Sequence, residues 1–476
     1  MSKLHHQMNI EGAGLSSAFS LAQDGSLVFD GIRCDELAKA NGTPLYVYSA
    51  KQIRANYERL SEALQNHLAA RWRIFYAYKG NPSPAVCRVL HNDGAGAEVV
   101  SEGELTQALG YLPGSEIIFN NVVKTERELE LAVKNDVHLI IVDSQTEFEV
   151  LNKIAGRAHK TVNVGFRVRP GITAGFHKHV QTANSETKFG LSPETLLGLI
   201  PRIKDAKALR FRAVHVHLGS QISDLDKYEQ AAEFAFGMTQ QLRAAHGLAI
   251  DIVDLGGGMG IQDPSGRPLL FDFVGLAARL QRTLEKIFGS LSGDWPALYF
   301  EPNRSLVGNA GILLGSVVSL KRDVERLFVG TDTGYSAFVR PMLYGATHEI
   351  RNARDPFPNT SERYDIVGPL CESGDVLGRD VKLATPRIGD VLVVFDAGAY
   401  GFAQASQYNS LPRPAEVLID GGTPYVIRRR EKLSDLNRLT QVPPHLESGE
   451  HAERRRRADA SAASRSSAPS YAHSMH

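Results

Sequence analysis

Cysteine is scarce in this sequence, with only Cys34, Cys87 and Cys371 among 476 residues. Their odd number and wide spacing argue against a disulfide framework and favour a reducing compartment. No CxxC pair is present, and structural zinc sites are commonly built from such pairs. The sequence therefore predicts no bound metal.

Charge of one sign is also lacking, because 53 Lys and Arg residues balance 53 Asp and Glu residues. A net charge of zero gives no general attraction to a polyanion, so we expect no nucleic-acid partner. No hydrophobic run approaches the length of a membrane span, and the first residues, MSKLHHQMNIEGAG, lack the apolar core of a signal peptide. We expect a cytoplasmic protein with no membrane partner.

The chain is long enough for two domains, and 43% of its residues are hydrophobic. Between residues 48 and 305, eight apolar runs alternate with amphipathic segments of helix length. The eight runs are 73–79, 97–101, 116–120, 138–143, 162–169, 211–218, 250–255 and 298–301. This alternation predicts an α/β protein with an N-terminal (β/α)8 barrel of the TIM type. A doubly wound open sheet is the alternative.

Beyond the barrel the pattern changes to strands with few helices between them. It predicts a mostly antiparallel C-terminal β domain formed by residues 26–47 with 306–430. Residues 1–25 show no clear pattern and predict a flexible N-terminus. Residues 431–476 are poor in apolar side chains and predict a disordered tail. The arginines at 454–457 could touch nucleic acid or lipid, but a solvated tail explains them as well.

Lys79 ends the first predicted barrel strand, in the sequence RIFYAYKGNPSP. Residues 74–78 are apolar and aromatic, which is typical of a strand buried on both faces. A turn and then a helix over residues 84–91 follow. Partial burial at a strand end favours the neutral amine, which can bond to an aldehyde cofactor. Alternatively, the side chain extends to water, as most lysines at strand ends do.

The sixth predicted strand ends in HVHLGSQ, residues 215–221. Because alternate residues of a strand point the same way, His215 and His217 share one side. Two histidines at this spacing could bind a metal ion, but no third ligand with suitable spacing accompanies them. A histidine stacked on a flat cofactor ring, followed by Ser220 at a phosphate, fits the segment equally well.

The last two predicted strands end in glycines and in charged residues. The backbone N–H groups of Gly256, Gly257 and Gly258 could turn toward a phosphate, although such runs also form ordinary tight turns. Glu301 and Arg304 could address two ends of one ligand, with the carboxylate at a ring nitrogen and the guanidinium at a carboxylate or phosphate. A surface salt bridge is the alternative.

The predicted β domain adds three polar segments, RPMLY at 340–344, CESGD at 371–375 and GAYG at 398–401. Core packing explains poorly a cysteine followed so closely by two acids. A thiol at the mouth of a site could donate a proton.

Taken together, these segments resemble one family. YAYKGN with GAGAEVVSEGEL, HVHLGSQ, DLGGGMGI, EPNR, RPMLY, CESGD and GAYGF occur in this order within about residues 26–430. The set resembles the diaminopimelate decarboxylases, which belong to the alanine-racemase-like and ornithine-decarboxylase-like group of pyridoxal 5'-phosphate enzymes. The resemblance implies an N-terminal barrel that binds this cofactor and a C-terminal β domain.

The resemblance also implies a role for each matching residue. Lys79 resembles the lysine that forms a Schiff base with the cofactor, and Cys371 resembles the acid that returns a proton after carbon dioxide leaves. The residues implied to bind the cofactor are Lys79, Glu98, His217, Ser220, Gly256, Gly257, Gly258, Glu301, Arg304 and Tyr400. Those implied to bind the substrate are Arg304, Arg340, Tyr344, Glu372 and Tyr400. The family's Cys-Glu segment reaches the site of a second subunit, so a homodimer with shared active sites is implied.

The implied reaction is the decarboxylation of meso-2,6-diaminopimelate to L-lysine and carbon dioxide, a step of lysine biosynthesis. The sequence departs from the family pattern at a few positions. Gly80 replaces an alanine, Glu98 an aspartate and Gln407 an asparagine, and residues 334–338 lack an expected Asn-Asp. Asn303 replaces the glycine of EPGR, and asparagine tolerates a positive φ there.

These departures leave a second reading open, in which the same chemistry acts on a D-amino acid or on an intermediate of secondary metabolism. A non-catalytic protein that binds pyridoxal phosphate is a further alternative, but small binders of that kind lack a β domain.

Overall fold

The computed structural model describes residues 16–172, 187–262, 266–290, 292–324, 326–446 and 449. The chain divides into two compact units, Met1–Arg430 and Glu431–His476. The predicted fold class is confirmed, because the first unit contains a closed eight-stranded barrel and a mostly antiparallel sheet. Within the described ranges, no helix is both long enough and apolar enough to cross a membrane. The arginines at 454–457 lie outside the described residues.

The chain before the barrel forms four short strands and two helices. They are β1 (Phe19–Leu21), β2 (Leu27–Phe29), β3 (Ile32–Arg33), α1 (Cys34–Asn41), β4 (Leu45–Ser49) and α2 (Ala50–His67). Strand β1 lies in a stretch where the sequence shows no clear pattern. It forms because the Phe19 ring packs 4.9 Å from Phe29 and 4.7 Å from Phe395, centroid to centroid.

The barrel alternates strands and helices as expected. Its elements are β5 (Trp72–Ala77), α3 (Pro84–Asn92), β6 (Gly96–Val99), α4 (Glu102–Leu109), β7 (Ile117–Phe119), α5 (Glu126–Lys134), β8 (Leu139–Val142), α6 (Gln145–Arg157), β9 (Val162–Arg167), α7 (Pro193–Asp205), β10 (Leu209–His215), α8 (Leu225–His246), β11 (Ile252–Asp254), α9 (Phe273–Phe288) and β12 (Ala297–Phe300). All neighbours pair in parallel, and β12 closes on β5.

Side-chain caps fix where several barrel helices begin. Ser101 accepts a hydrogen bond from the backbone N–H of Glu104, and Thr125 forms a capping box with Glu128. Each cap follows the end of a strand closely, so the chain turns from strand to helix within a few residues. The loops that follow β6 and β7 are therefore short, whereas β11 and α9 are 18 residues apart.

The interior of the barrel is filled by a separate apolar cluster. Its members are Phe75, Ile118, Leu139, Ile141, Ala213, Ile252, Ala297 and Tyr299. Burying a side chain of this size contributes roughly 1.5–3 kcal/mol. Because these residues come mostly from the starts and middles of the strands, the carboxyl ends remain free for polar side chains.

The β domain follows the barrel. Its elements are α10 (Arg304–Val307), β13 (Gly311–Arg322), β14 (Leu327–Thr331), α11 (Arg340–Tyr344), β15 (Ile350–Asn352), β16 (Arg363–Val367), β17 (Val376–Lys382), β18 (Val391–Val394), β19 (Ala415–Asp420) and β20 (Thr423–Arg428). The strands run in the order β17-β16-β14-β13-β4-β19-β20, with β18 also paired to β13 and β15. Most pairs are antiparallel, but β14 with β16 and β4 with β19 are parallel. In the second unit, α12 spans Leu433–Leu436.

Candidate active site

Lys79 lies in a single 3₁₀ turn, Tyr78–Gly80, directly after β5. Its Nζ is 2.6 Å from Oε2 of Glu98, the residue before the last of β6. The Lys79 side chain is 33% exposed and that of Glu98 is fully buried. The amine therefore stands at the open end of the barrel above a buried carboxylate, rather than extending into bulk water.

The charge of Lys79 differs from the expectation of a neutral amine. Burial lowers the pKa of Lys79, but the carboxylates of Glu98 and Glu301 raise it more, and the result is above the ordinary value. Burial also raises the pKa of Glu98 to about 8, against the attraction of Lys79. The prediction from strand-end burial alone is wrong because it omitted the two acids.

Beneath the amine lies a buried polar cluster centred on Glu301, which follows β12. Asn120 donates its side-chain N–H to both Glu301 oxygens at 3.0 Å, and His215 Nε2 is 3.4 Å from Oε2. Asp254 accepts a hydrogen bond from the backbone of Gly256. Burial, together with the nearby Glu301 carboxylate, raises the pKa of Asp254 well above its usual range.

The donor atoms of His215, Asp254 and Glu301 lie within 4.8 Å of one another, so these three residues could hold a metal ion. They are equally suited to a cationic ring nitrogen, because the cluster has more carboxyl groups than positive charges. Within the described part of the chain, Asp254 Oδ2 and Glu98 Oε1 are buried without a hydrogen-bond partner. Both atoms therefore have capacity for a bound polar group.

His217 stands at the glycine turn that follows β11. Its Nδ1 accepts a hydrogen bond from the backbone N–H of Gly257 at 3.2 Å, and burial lowers its pKa well below the ordinary value. The imidazole is therefore neutral, and a neutral flat ring can stack on another aromatic ring.

The glycine turn is tightly packed. Gly256 and Gly258 have φ of 65° and 92°, which favour glycine, and a Cβ added to Gly257 would lie 2.2 Å from the Glu301 carbonyl oxygen. Side chains are thus excluded along a backbone that passes directly over the end of β12. A ligand can therefore approach this backbone closely. The N–H groups of Gly256 and Gly257 donate to Asp254 and His217, and the N–H of Gly258 has no hydrogen-bond partner among the described residues.

Arg304 and Tyr400 meet at the same edge. The Arg304 guanidinium carbon lies 4.7 Å from the centre of the Tyr400 ring, and Nη2 donates to Ser220 Oγ at 3.2 Å. The backbone N–H of Tyr400 donates to Gly80 O at 2.6 Å. A residue of the β domain is therefore hydrogen-bonded to the turn that carries Lys79.

Arg340 is a second buried guanidinium. Its Nε donates to His348 Nε2 at 3.3 Å, while His348 Nδ1 is 2.9 Å from the carbonyl oxygen of Phe395. Burial and the nearby Arg304 lower the pKa of Arg340 to about 9. Tyr344 lies with its ring centre 5.8 Å from the Arg340 guanidinium carbon. The Asp396 carboxylate is close enough to raise the pKa of both Arg304 and Arg340, but among the described residues neither guanidinium forms an ion pair with a carboxylate. Two buried guanidinium groups near one acid leave positive charge for an anion.

Cys371 and Glu372 lie elsewhere on the β domain. Both are exposed. The Nδ2 of Asn409 is 3.5 Å from Cys371 Sγ, and the hydroxyl of Tyr408 donates to Glu372 Oε1 at 2.7 Å. Among the described residues, no hydrogen bond or ion pair connects them to the Lys79 cluster. One chain thus brings together the other predicted site residues but not this pair.

Four residues that support the site are not predicted from the sequence: Asn120, Asp254, Arg167 and His348. Asn120 and Asp254 end or follow barrel strands, so the rule that directed attention to strand ends could have found them. Arg167 ends β9 and is buried, with Nη2 lacking a hydrogen-bond partner among described residues. His348 carried no such signal, because it meets Arg340 only through the folding of the β domain.

Comparison with known proteins agrees with this geometry. The family described as pyridoxal-dependent decarboxylase, pyridoxal binding domain, matches residues 50–308. The diaminopimelate decarboxylase of Methanocaldococcus jannaschii is 36% identical over 436 residues, covering 89% of this chain and 97% of that protein. This chain belongs to the diaminopimelate decarboxylase family.

Other members agree. The Pseudomonas aeruginosa diaminopimelate decarboxylase is 36% identical over 419 residues, covering 87% of this chain and 96% of that protein. The crystal structure of the M. jannaschii diaminopimelate decarboxylase superposes with a TM-score of 0.84 at 35% identity, covering 90% of this chain and 99% of that one, and another of its structures holds L-lysine. The family resemblance seen in the sequence is confirmed.

The residues present fit pyridoxal 5'-phosphate. The cofactor needs an amine, an acid for its ring nitrogen, a flat neighbour and a phosphate cradle. Lys79, Glu301, His217 and the glycine turn are groups of these kinds, and all lie at the carboxyl ends of the barrel strands. The unpartnered carboxylate oxygens and the glycine positions closed to side chains are the observations that support the fit.

Proposed function

We propose that this protein uses pyridoxal 5'-phosphate to decarboxylate meso-2,6-diaminopimelate, giving L-lysine and carbon dioxide. The observation that carries the proposal is the grouping of Lys79, Glu98 and Glu301 beside two buried guanidinium groups, Arg304 and Arg340. When bound, the cofactor supplies a ring that accepts the electron pair left as carbon dioxide departs.

The residues around the amine have separate tasks. Lys79 holds the cofactor through its amine, and Glu301 keeps a proton on the ring nitrogen. Asn120 orients Glu301 by donating to both of its oxygens at 3.0 Å. The neutral His217 offers a flat surface to the ring. Ser220 and the N–H group of Gly258 are suited to the phosphate. The N–H groups of Gly256 and Gly257 donate to Asp254 and His217, so they would exchange these partners for the phosphate.

Arg304 and Arg340 are suited to the substrate carboxylates. Both are buried, and among the described residues their side-chain hydrogen bonds go to Ser220 and His348, with Asp396 as the nearby acid. A substrate with two carboxylates would satisfy both, and Tyr344 and Tyr400 flank them. A ligand without the second carboxylate would leave one guanidinium unpaired, which disfavours the shorter amino acid.

Cys371 and Glu372 complete the reaction in this proposal. Glu372 binds the remote ammonium of the substrate. After carbon dioxide has left, the α-carbon takes the proton of the Cys371 thiol, and the electron pair of the broken C–C bond forms the new C–H bond. The S–H bond breaks and a C–H bond forms, so the thiolate is then reprotonated from solvent.

We further propose a homodimer in which each subunit lends Cys371 and Glu372 to the other. The support is that both residues are exposed, while the residues they would serve surround Lys79. Mixing Lys79→Ala protein with Cys371→Ala protein, each inactive alone, should restore activity, because a mixed dimer contains one intact site. Mixtures that remain inactive after subunit exchange would contradict shared sites.

The experiment that tests the reaction measures carbon dioxide release by the purified protein with cofactor. We expect turnover of meso-diaminopimelate and formation of L-lysine. A second candidate is the same chemistry on another amino acid. It is favoured by Tyr335, which lies in the segment that departs from the family pattern. The ring of Tyr335 stacks on Tyr408, the hydrogen-bond partner of Glu372. A panel of D- and L-amino acids distinguishes the two. A cytoplasmic location is supported by the few, free cysteines.

A further inference from the structure

We infer that Tyr408, supported by Tyr335, is a positioning residue that directs the Glu372 carboxylate toward the remote ammonium of the substrate. The inference rests on the proposed function and adds to it. The resemblance implies a role for Glu372, and nothing in it assigns one to Tyr335 or Tyr408. Tyr335 lies in the segment that departs from the family pattern.

The hydroxyl of Tyr408 donates to Glu372 Oε1 at 2.7 Å. A glutamate on an exposed turn has several rotatable bonds, so without this hydrogen bond its carboxylate would sample many orientations. The bond occupies one oxygen and leaves Oε2 available to a ligand. The hydrogen bond to this carboxylate raises the pKa of Tyr408 to about 12, so the hydroxyl stays a donor across the physiological range.

The ring of Tyr335 supports the ring of Tyr408. Their centroids are 5.6 Å apart with an interplanar angle of 30°. Tyr335 is itself anchored through its backbone N–H, which donates to Asp375 Oδ1 at 2.6 Å, and the other Asp375 oxygen accepts from Leu370 at 2.8 Å. One buried aspartate therefore ties the Tyr335 segment to the turn that carries Cys371 and Glu372.

The backbone after Tyr408 is in an unusual conformation. Asn409 and Ser410 have φ of 54° and 58°, and two consecutive residues other than glycine rarely adopt such values. This turn presents Tyr408 to Glu372 and Asn409 to Cys371 at the same time. Strained backbone persists where its surroundings determine it, and it is common where a side chain must be aimed.

The two rings also suit a cation. Aromatic faces attract ammonium groups, and a carboxylate next to such a face binds them through both effects. The Tyr335, Tyr408 and Glu372 side chains thus form a site for an ammonium, and a substrate with a neutral end gains nothing there. The proposed discrimination concerns the end of the substrate remote from the reacting carbon.

The test compares binding of L-lysine and 6-aminohexanoate to the holoenzyme by calorimetry. The end of meso-diaminopimelate that does not react becomes the α-amino and α-carboxylate groups of L-lysine, so the remote ammonium of the substrate corresponds to the α-ammonium of lysine. 6-Aminohexanoate keeps the carboxylate and the other amine and lacks that ammonium. We expect Tyr408→Phe to raise the Kd of lysine about tenfold, the loss typical of one hydrogen bond to a charged group. We expect 6-aminohexanoate binding to be unchanged. The matched control is Tyr425→Phe, which removes the hydroxyl of another exposed tyrosine, on β20.

In steady-state kinetics, Tyr408→Phe should raise KM for meso-diaminopimelate about as much and change kcat little. Unchanged lysine affinity in this variant, or equal weakening of both amino acids, overturns the inference. A wild-type protein that discriminates lysine from 6-aminohexanoate through Tyr408, but releases no carbon dioxide from meso-diaminopimelate, contradicts the proposed function and supports the inference. Turnover without that dependence contradicts only the inference.

Discussion

A Cβ added to Gly80 would lie 2.8 Å from the Cβ of Asn303. Gly80 follows Lys79, and Asn303 precedes Arg304. Both positions differ from the family pattern, which has alanine at the first and glycine at the second. The contact shows that the two departures belong together, because the methyl group missing at one position is replaced by side-chain volume at the other.

Asn303 also takes a role that glycine could not. Its Nδ2 donates to the Tyr400 hydroxyl at 2.7 Å. Its φ is −138°, so the expectation of a positive φ at this position is wrong, and the turn needs no left-handed residue here. The exchange therefore adds a hydrogen bond to Tyr400 that glycine could not form.

We predict that Gly80→Ala alone lowers stability by roughly 1–3 kcal/mol, as overpacking in a filled site does, and lowers activity by displacing Lys79. Adding Asn303→Gly should relieve the contact, so the double variant should be more stable than Gly80→Ala. Urea unfolding and turnover of the four proteins measure this coupling. Gly156→Ala is the matched control, because nothing lies within 4 Å of the added Cβ. Additive effects of the two substitutions would contradict the pairing.

Lys79→Ala should abolish the visible absorbance of bound cofactor and all turnover, because no other amine can replace it at the end of β5. Borohydride reduction of the wild type, followed by peptide mapping, should place the cofactor mass on Lys79. Lys51→Ala, which removes an exposed lysine of α2, should keep the absorbance. A chromophore that survives in Lys79→Ala would show that the cofactor is bound elsewhere.

His348 should make stability depend on pH. Burial, and to a smaller extent the nearby positive charge of Arg340, lowers the pKa of His348 from 6.5 to about 3. Between these pH values the imidazole binds a proton in the unfolded chain but not in the folded chain. The contribution of the neutral His348 to the free energy of unfolding is therefore complete above pH 6.5 and is lost as the pH falls toward 3. The slope is at most about 1.4 kcal/mol per pH unit. Urea unfolding at pH 4–6.5 should give a shallower slope for His348→Asn, and equal slopes would contradict this assignment.

Chelation should leave activity unchanged. His215, Asp254 and Glu301 could hold a metal, but we assign Glu301 to the cofactor ring nitrogen. Dialysis against EDTA followed by addition of cofactor should therefore restore full turnover, and metal analysis of the active protein should find no stoichiometric ion. Activity that returns only with an added divalent ion would overturn this assignment. Removal of the cofactor itself should abolish turnover.

The barrel could be predicted because each of its eight strands is a short apolar run ending in polar or glycine residues. The observed strands differ from the predicted ones by a few residues at their ends, as with β10, which spans Leu209–His215 rather than 211–218. The parallel pairing of β4 with β19 could not be predicted, because strand order in the sheet depends on contacts between distant parts of the chain.

The site residues also fall into those that the sequence predicts and those that it does not. Lys79, His217 and Glu301 lie at strand ends, where residue type and position together indicate chemistry. The hydrogen bond from Arg340 to His348, and that from Tyr408 to Glu372, join residues through the folding of the β domain. No periodicity or motif encodes such contacts, so only the structure reveals them.

The position of β4 in the sheet affects how the chain folds during synthesis. This strand is made early in synthesis, yet its two neighbours in the sheet are β13 and β19, which end at residues 322 and 420. Until the ribosome has produced both, the backbone groups along its two edges have no partners in the sheet, and unpaired strand edges promote aggregation. The last barrel strand, β12, ends at residue 300, so every barrel strand is synthesised while β4 still lacks both neighbours. A chaperone that binds extended apolar segments would find its substrate at residues 45–49, and truncation before residue 415 should yield insoluble protein.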